Sequence, residues 1–173
     1  YLSEEVLAAQ TPRRRQALLE LSVLDEMSAG LVEAIADIPD GARFLEQLQQ
    51  ESLFVVPVYG VPGRYRFHHL FRDLLRLRLR AEAPQAEVRL LLAAAEWHRS
   101  QGAIGDAVEC LLAARAWPAA IQLILSRGRD VYERGEIPTV ARWLSAVPDT
   151  VLHERPEAVV LLGMLEGMSG RAA

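Results

Sequence analysis

The residues of this sequence that could do chemistry are few, and the most informative are two adjacent histidines, His68 and His69. An imidazole can act as a general base, a metal ligand or an N–H donor to a phosphate oxygen. Metal ligands on a helix typically sit three or four positions apart so that they share a face. Adjacent histidines lack that spacing, and His98 and His153 offer none either, so no metal site is expected. The plain reading of the pair is a strand handing over to a helix, one histidine capping it and the other half-buried. Arg64, Arg66, Arg72, Arg76, Arg78 and Arg80 follow as a basic stretch opposed only by Asp73. It reads as a solvated helix face or a surface docking onto a neighbouring domain, and the run Arg13–Arg15 also reads as a solvated face. No serine sits in a nucleophile elbow, and no carboxylate pair has an acid/base setting. A GxxxxGK[ST] phosphate loop is impossible, because all 19 basic residues are arginine. With no catalytic constellation, the chain by itself is expected not to be an enzyme.

The 173 residues carry 23 acidic against 19 basic side chains, a formal net charge of −4, and 51% are hydrophobic. That balance excludes disorder, and the mildly acidic whole argues against a dedicated nucleic-acid protein. The longest apolar run, Ala158–Leu165, falls far short of the roughly 20 residues that span a bilayer. No signal peptide is visible, and the lone Cys110 lies in an apolar stretch that predicts a buried, inert thiol. These features fit a reducing cytoplasm. The absence of lysine and asparagine reads as the mark of a GC-rich genome. Both ends fall within a helical pattern, so a piece of a longer protein is expected.

The elements that must hold the histidines begin with a short helix over Glu4–Gln10. Thr11 then caps a second helix with Pro12 at its first position, and apolar Leu18, Leu19 and Leu21 follow. Ser28 caps the next, with Leu31, Val32 and Ile35 on one face, ending near Asp37. The third helix counted from Thr11 starts near Asp40, its face Phe44, Leu45 and Leu48. The period then changes. Leu53–Val58 is β-rich, Tyr59–Gly63 is a turn cluster, and Arg64–Phe67 alternates with period two, which predicts a hairpin. Three short helices followed by a hairpin is the winged-helix arrangement. A winged helix that reads DNA inserts its third helix into the groove, but Asp40, Glu46 and Glu51 there outnumber Arg43. Direct DNA binding is therefore not expected.

From His69 onward only helices are predicted. Leu70, Phe71, Leu74, Leu75 and Leu77 face one way in a helix ending near Ala83-Pro84. Gln85–Gln101 buries Val88, Leu91, Leu92, Ala95 and Trp97, and Gly102 closes it. Helices near Ile104–Ala114, Pro118–Glu133, Pro138–Ala146 and Pro156–Met168 complete the chain. Gly102, Ile104, Ala107, Cys110, Leu111 and Ala113 align with Gly135, Ile137, Val140, Trp143, Leu144 and Ala146 at a constant offset, 135 − 102 = 33. Gly170 stands near the next turn. A period near 34 with paired helices suggests a tetratricopeptide-like solenoid. The fold class expected is mostly α, a winged helix followed by antiparallel helix pairs. The domains are residues 1–10 as the tail of a preceding helical region, 11–84 as the winged helix and 85–173 as the repeats. Trp97, Trp117, Tyr132 and Trp143 are the large residues that could line a concave surface.

Three stretches carry a family likeness: Glu4–Leu7 with Arg15–Asp25, Leu45–Leu48 leading to Leu53–Pro57, and Tyr65–Leu75. They resemble the large ATP-dependent transcriptional activators of the MalT-like LuxR group, within the signal-transducing STAND NTPases. The resemblance covers nearly the whole chain and is closest through about residue 80. It implies a polypeptide in which an NTPase module, a winged helix, a superhelical sensor and a C-terminal helix-turn-helix follow one another. This sequence corresponds to the middle of that order, so its partners would be its own NTPase and DNA-binding domains and an unidentified inducer or protein. No cofactor is expected in the segment itself, and ATP or ADP in the whole protein. Phe67-His68-His69-Leu70 matches a Met-His-Asp-like motif whose histidine contacts the β-phosphate of ADP, which makes His68 the cofactor-binding candidate. His69 stands where the motif often has Asp. Two other readings are a stand-alone helical-repeat adaptor and a DNA-binding winged-helix module.

Overall fold

The computed structural model describes residues 2–51, 54–133 and 135–168, with side chains for 5–51, 54–127 and 135–167. Leu53, Gly170 and the Tyr132 side chain, all used above, lie outside these. The chain divides between Trp97 and His98 into two compact units.

In the first unit, α1 (Leu2–Ala8) precedes α2 (Pro12–Leu21), whose start follows from its sequence. The Thr11 side chain accepts a hydrogen bond from the Arg14 N–H, with Pro12 in the first turn where its missing donor costs nothing. α3 (Ala29–Ala36) has Ser28 at its N-cap, but the Ser28 side chain makes no capping bond. Left-handed Asp37 ends the helix (φ 51°). The Asp40 carboxylate caps α4 (Gly41–Gln50) through the Arg43 N–H. Gly41 permits the close approach of α4 to α3, because a Cβ there would collide with the Ala29 backbone.

β1 (Val55–Pro57) and β2 (Tyr65–Phe67) form the expected antiparallel hairpin, with Val55 opposite Phe67 and Pro57 opposite Tyr65. Such a ribbon is marginal alone. Here Met27 exchanges both backbone hydrogen bonds with Tyr65, which ties the outer edge of β2 to the helical core. α5 (His69–Glu82) and α6 (Ala86–Ser100) follow. The core collects Leu18, Leu19, Leu21, Leu31, Leu45, Leu48, Phe71, Leu75 and Leu79.

Two predicted faces are corrected. On α5 the inward residues are Phe71, Leu75 and Leu79, whereas Leu70 is 65% and Leu77 64% exposed. Phe71 is fixed inward by ring contacts with Phe54 and Phe67, so residues one position before it or six after turn outward at 100° per step. On α6 the buried residues are Ala86, Leu90, Leu91, Ala94, Ala95 and His98, while Val88 and Leu92 are exposed and Trp97 is half-buried.

The second unit contains α7 (Ile104–Ala113), α8 (Trp117–Glu133), α9 (Ile137–Ser145), a one-turn α10 (Asp149–Leu152) that the sequence pattern missed, and α11 (Pro156–Met168). Gly102 and Gly135, at matching points of the repeat, both adopt positive φ (73° and 71°), the conformation glycine takes most cheaply before a new helix. One apolar cluster runs through Val108, Ile121, Ile124, Trp143, Leu144 and Leu165. Cys110 is half-buried, not sealed in the core. Helical repeats thus follow the winged helix.

Candidate functional site

His68 occupies the corner where β2 ends and α5 begins, as N-cap of α5 in extended conformation. Its backbone is held at both ends. The N–H donates to the Phe54 carbonyl at 2.6 Å, and its own carbonyl accepts from the Arg72 N–H at 3.0 Å. Its side chain makes no capping bond and is exposed. The half-buried reading of the second histidine is corrected: His69 is exposed too, and the two rings lie 4.4 Å apart at 31°. Backbone twist at a strand-to-helix corner brings neighbouring side chains together that a regular strand would send to opposite faces. Among the described residues no group of three or more His, Cys, Asp or Glu could hold a metal ion.

Beneath this corner lies an aromatic trio. Phe71, at the heart of the core, meets Phe54 at 5.0 Å and Phe67 edge-on at 5.8 Å. Phe54 has φ +55°, a conformation that costs a bulky residue about 1–3 kcal/mol. The sequence pattern counted Phe54 as a strand residue. Nothing in a Phe-Val-Val-Pro run signals a left-handed backbone, since the signal is ordinarily Gly, Asn or Asp.

Four of the six arginines of the basic stretch are held in ion pairs, while Arg66 and Arg78 are exposed. Arg72 reaches Asp25 at 2.5 Å, and Arg64 reaches Glu26 at 3.4 Å. Arg76 and Arg80 both grip Glu87. Hydrogen bonding from Arg80, opposed by burial and helped by Arg76, holds the Glu87 carboxyl down at about 2. The Arg13–Arg15 run is likewise engaged. Arg13 donates to the Asp37 carbonyl, Arg14 pairs with Glu51 at 2.9 Å, and Arg15 makes a two-point pair with Glu82. By contrast, residues 56–63 of the hairpin turn contain no charge. Tyr59 there is fully exposed, beside a shallow apolar groove of about 280 Å³ lined by Pro57, Val61, Pro62 and Tyr65.

In the second unit Trp143 is buried in the repeat core, and Trp117 packs half-buried against the same cluster. The Trp143 indole N–H donates to Glu109 at 2.7 Å, and Arg142 donates to the same oxygen at 2.5 Å. A cleft of about 290 Å³ opens at the start of α7, lined by Ile104, Asp106, Arg127, Glu136 and Trp143.

A winged helix with a hairpin tied to its core at Met27 is one observation, and its sequence relationships decide its kind. Residues 3–87 match the MalT winged helix domain. The first half of the chain is thus similar to the MalT winged helix. The chain is 27% identical over 165 residues to the HTH-type transcriptional regulator MalT of Vibrio cholerae, and 28% identical over 165 residues to that of Klebsiella pneumoniae. Each match covers 95% of this chain and 18% of the relative. The chain is also 29% identical over 155 residues to the serine/threonine-protein kinase PknK of Mycobacterium tuberculosis, covering 90% of this chain and 14% of that protein. The segment thus spans under a fifth of the length of these relatives. No described helix is long and apolar enough to cross a membrane.

Proposed function

We propose that this segment is the relay of a cytoplasmic, ATP-dependent LuxR-type regulator of the STAND kind. The winged helix reports nucleotide state, and tetratricopeptide-like repeats begin a surface for an inducer or a protein. The observation that carries the reading is the His68 imidazole, free of intramolecular capping, on a backbone pinned at both ends. A phosphate sensor needs that combination: a donor that can reach out, on a mount that does not move.

Two further facts support a relay over an output domain. Related segments occur in proteins named as a transcriptional regulator and as a kinase, whose outputs differ. The uncharged wing tip, and an α4 whose Arg43 is outnumbered by Glu46 with the capping Asp40 and Glu51, suit contact with protein better than with DNA phosphates. In this reading the segment catalyses nothing itself and holds no cofactor alone. ADP sits in a nucleotide-binding module of the same polypeptide, and a helix-turn-helix elsewhere in it meets DNA.

His68→Ala, placed in the polypeptide that includes the nucleotide module, tests this. One charge-assisted bond is worth about 1.5–3 kcal/mol, so ADP should be held roughly tenfold to a hundredfold less tightly and basal activation should rise. Unchanged ADP affinity and unchanged basal activity remove His68 from the mechanism. Calorimetry on the 173 residues alone should show no ADP binding at micromolar concentrations.

A further inference from the structure

We infer that Phe54 is the positioning residue for His68, a role that acquires functional meaning from the phosphate-contact reading above. Three observations converge on it. Its carbonyl accepts the His68 N–H at 2.6 Å, the bond that fixes where α5 starts. Its backbone is left-handed (φ +55°), which glycine or asparagine would adopt with less strain, so something must hold a phenylalanine there. Its ring lies 5.0 Å from Phe71, itself 1% exposed and the anchor of α5.

The ring is what makes the strained backbone worth keeping. Packed against Phe71 with the two rings tilted by 36°, it holds the Phe54 carbonyl turned toward the foot of α5, and Phe67 meets Phe71 edge-on at 5.8 Å. Strain stored where surrounding packing over-determines it is a feature of functional corners. Without the ring, the Phe54 backbone relaxes toward negative φ and its carbonyl swings off the His68 N–H. The imidazole then loses its fixed mount while the helices beneath keep their packing.

The primary test is amide hydrogen exchange on this chain. Phe54→Ala removes the ring while alanine disfavours positive φ just as phenylalanine does, and it should speed exchange of the His68 amide at least tenfold while the Leu31, Leu48 and Leu75 amides keep their parent rates. Phe54→Tyr keeps the ring and should restore the parent rate at His68. An unchanged His68 amide in Phe54→Ala overturns the inference, and so does a uniform acceleration across residues 5–97, which is what a merely structural role would give. A second measurement uses the polypeptide carrying the nucleotide module. Phe54→Ala should weaken ADP retention in an otherwise parent background and should add nothing to His68→Ala. A further loss on top of His68→Ala overturns positioning through His68. If His68→Ala itself leaves ADP retention unchanged, the phosphate-contact reading fails, while the exchange result still decides whether Phe54 holds that corner.

Discussion

The two units close themselves in different ways. In the winged helix, besides the local pairs of Arg76 and Arg80 with Glu87, several ion pairs join residues far apart in sequence: Arg15 with Glu82, 67 positions apart, Arg72 with Asp25 at 47, and Arg64 with Glu26 at 38. In the repeats, Arg142 and Trp143 meet Glu109 at 33 and 34 positions, one repeat away. The first pattern makes a single core in which each element depends on several others. The second makes a chain of neighbours, each contact serving two adjacent repeats. A unit that must hold one imidazole in place gains from the first design, and a unit that extends a surface gains from the second.

The largest effect that would break this contrast is expected at Phe71. Phe71→Ala should cost about 3–5 kcal/mol and accelerate amide exchange throughout residues 5–97, because the buried ring joins hairpin and helices. Acceleration confined to α5 would mean the unit is not one cooperative core. Next is Glu87. Its carboxyl is depressed to about 2, so its contribution is present above the ordinary carboxylate range and is lost as pH falls from about 4.5 toward 2. Glu87→Gln should therefore cost about 1–3 kcal/mol in urea denaturation at pH 7, with the difference from parent shrinking over that acid window.

A smaller change, about 1 kcal/mol, is expected from Trp143→Phe, which keeps the buried ring and removes its hydrogen bond to Glu109. Burial works to raise the Glu109 carboxyl, but bonds from Arg142 and Trp143 outweigh it and leave it lowered. The remaining Arg142 pair is half exposed and should contribute under about 1 kcal/mol. The smallest effect is expected at Leu77, which looks apolar and central in the sequence. Leu77→Ser should stay within about 0.5 kcal/mol of parent in the same denaturation, since the side chain is 64% exposed.

That last substitution marks how far the sequence could be read. Caps were legible in part because they are local chemistry: Thr11 with Pro12 and Gly102 act where their types predict, whereas the expected cap Ser28 makes no side-chain bond. The hairpin was legible from its change of period, and the repeat from its offset. The α5 face was not, because an arginine-and-leucine alternation offers two leucine stripes, and the Phe71 ring contacts choose between them. The arginine partners were invisible because they lie up to 67 positions away. His68 was visible as a residue type at a strand-to-helix junction. Its mount, Phe54, was not, since a left-handed phenylalanine leaves no compositional trace.

Trp143 gives the repeats a built-in optical gauge. Its indole is 4% exposed, rests near Gly105 and is bonded to a carboxylate one repeat away. Its emission wavelength and its quenching by acrylamide therefore follow the seam between successive repeats. With Trp97 and Trp117 replaced by phenylalanine, a red shift on adding a candidate inducer would register that seam loosening, with no dye attached.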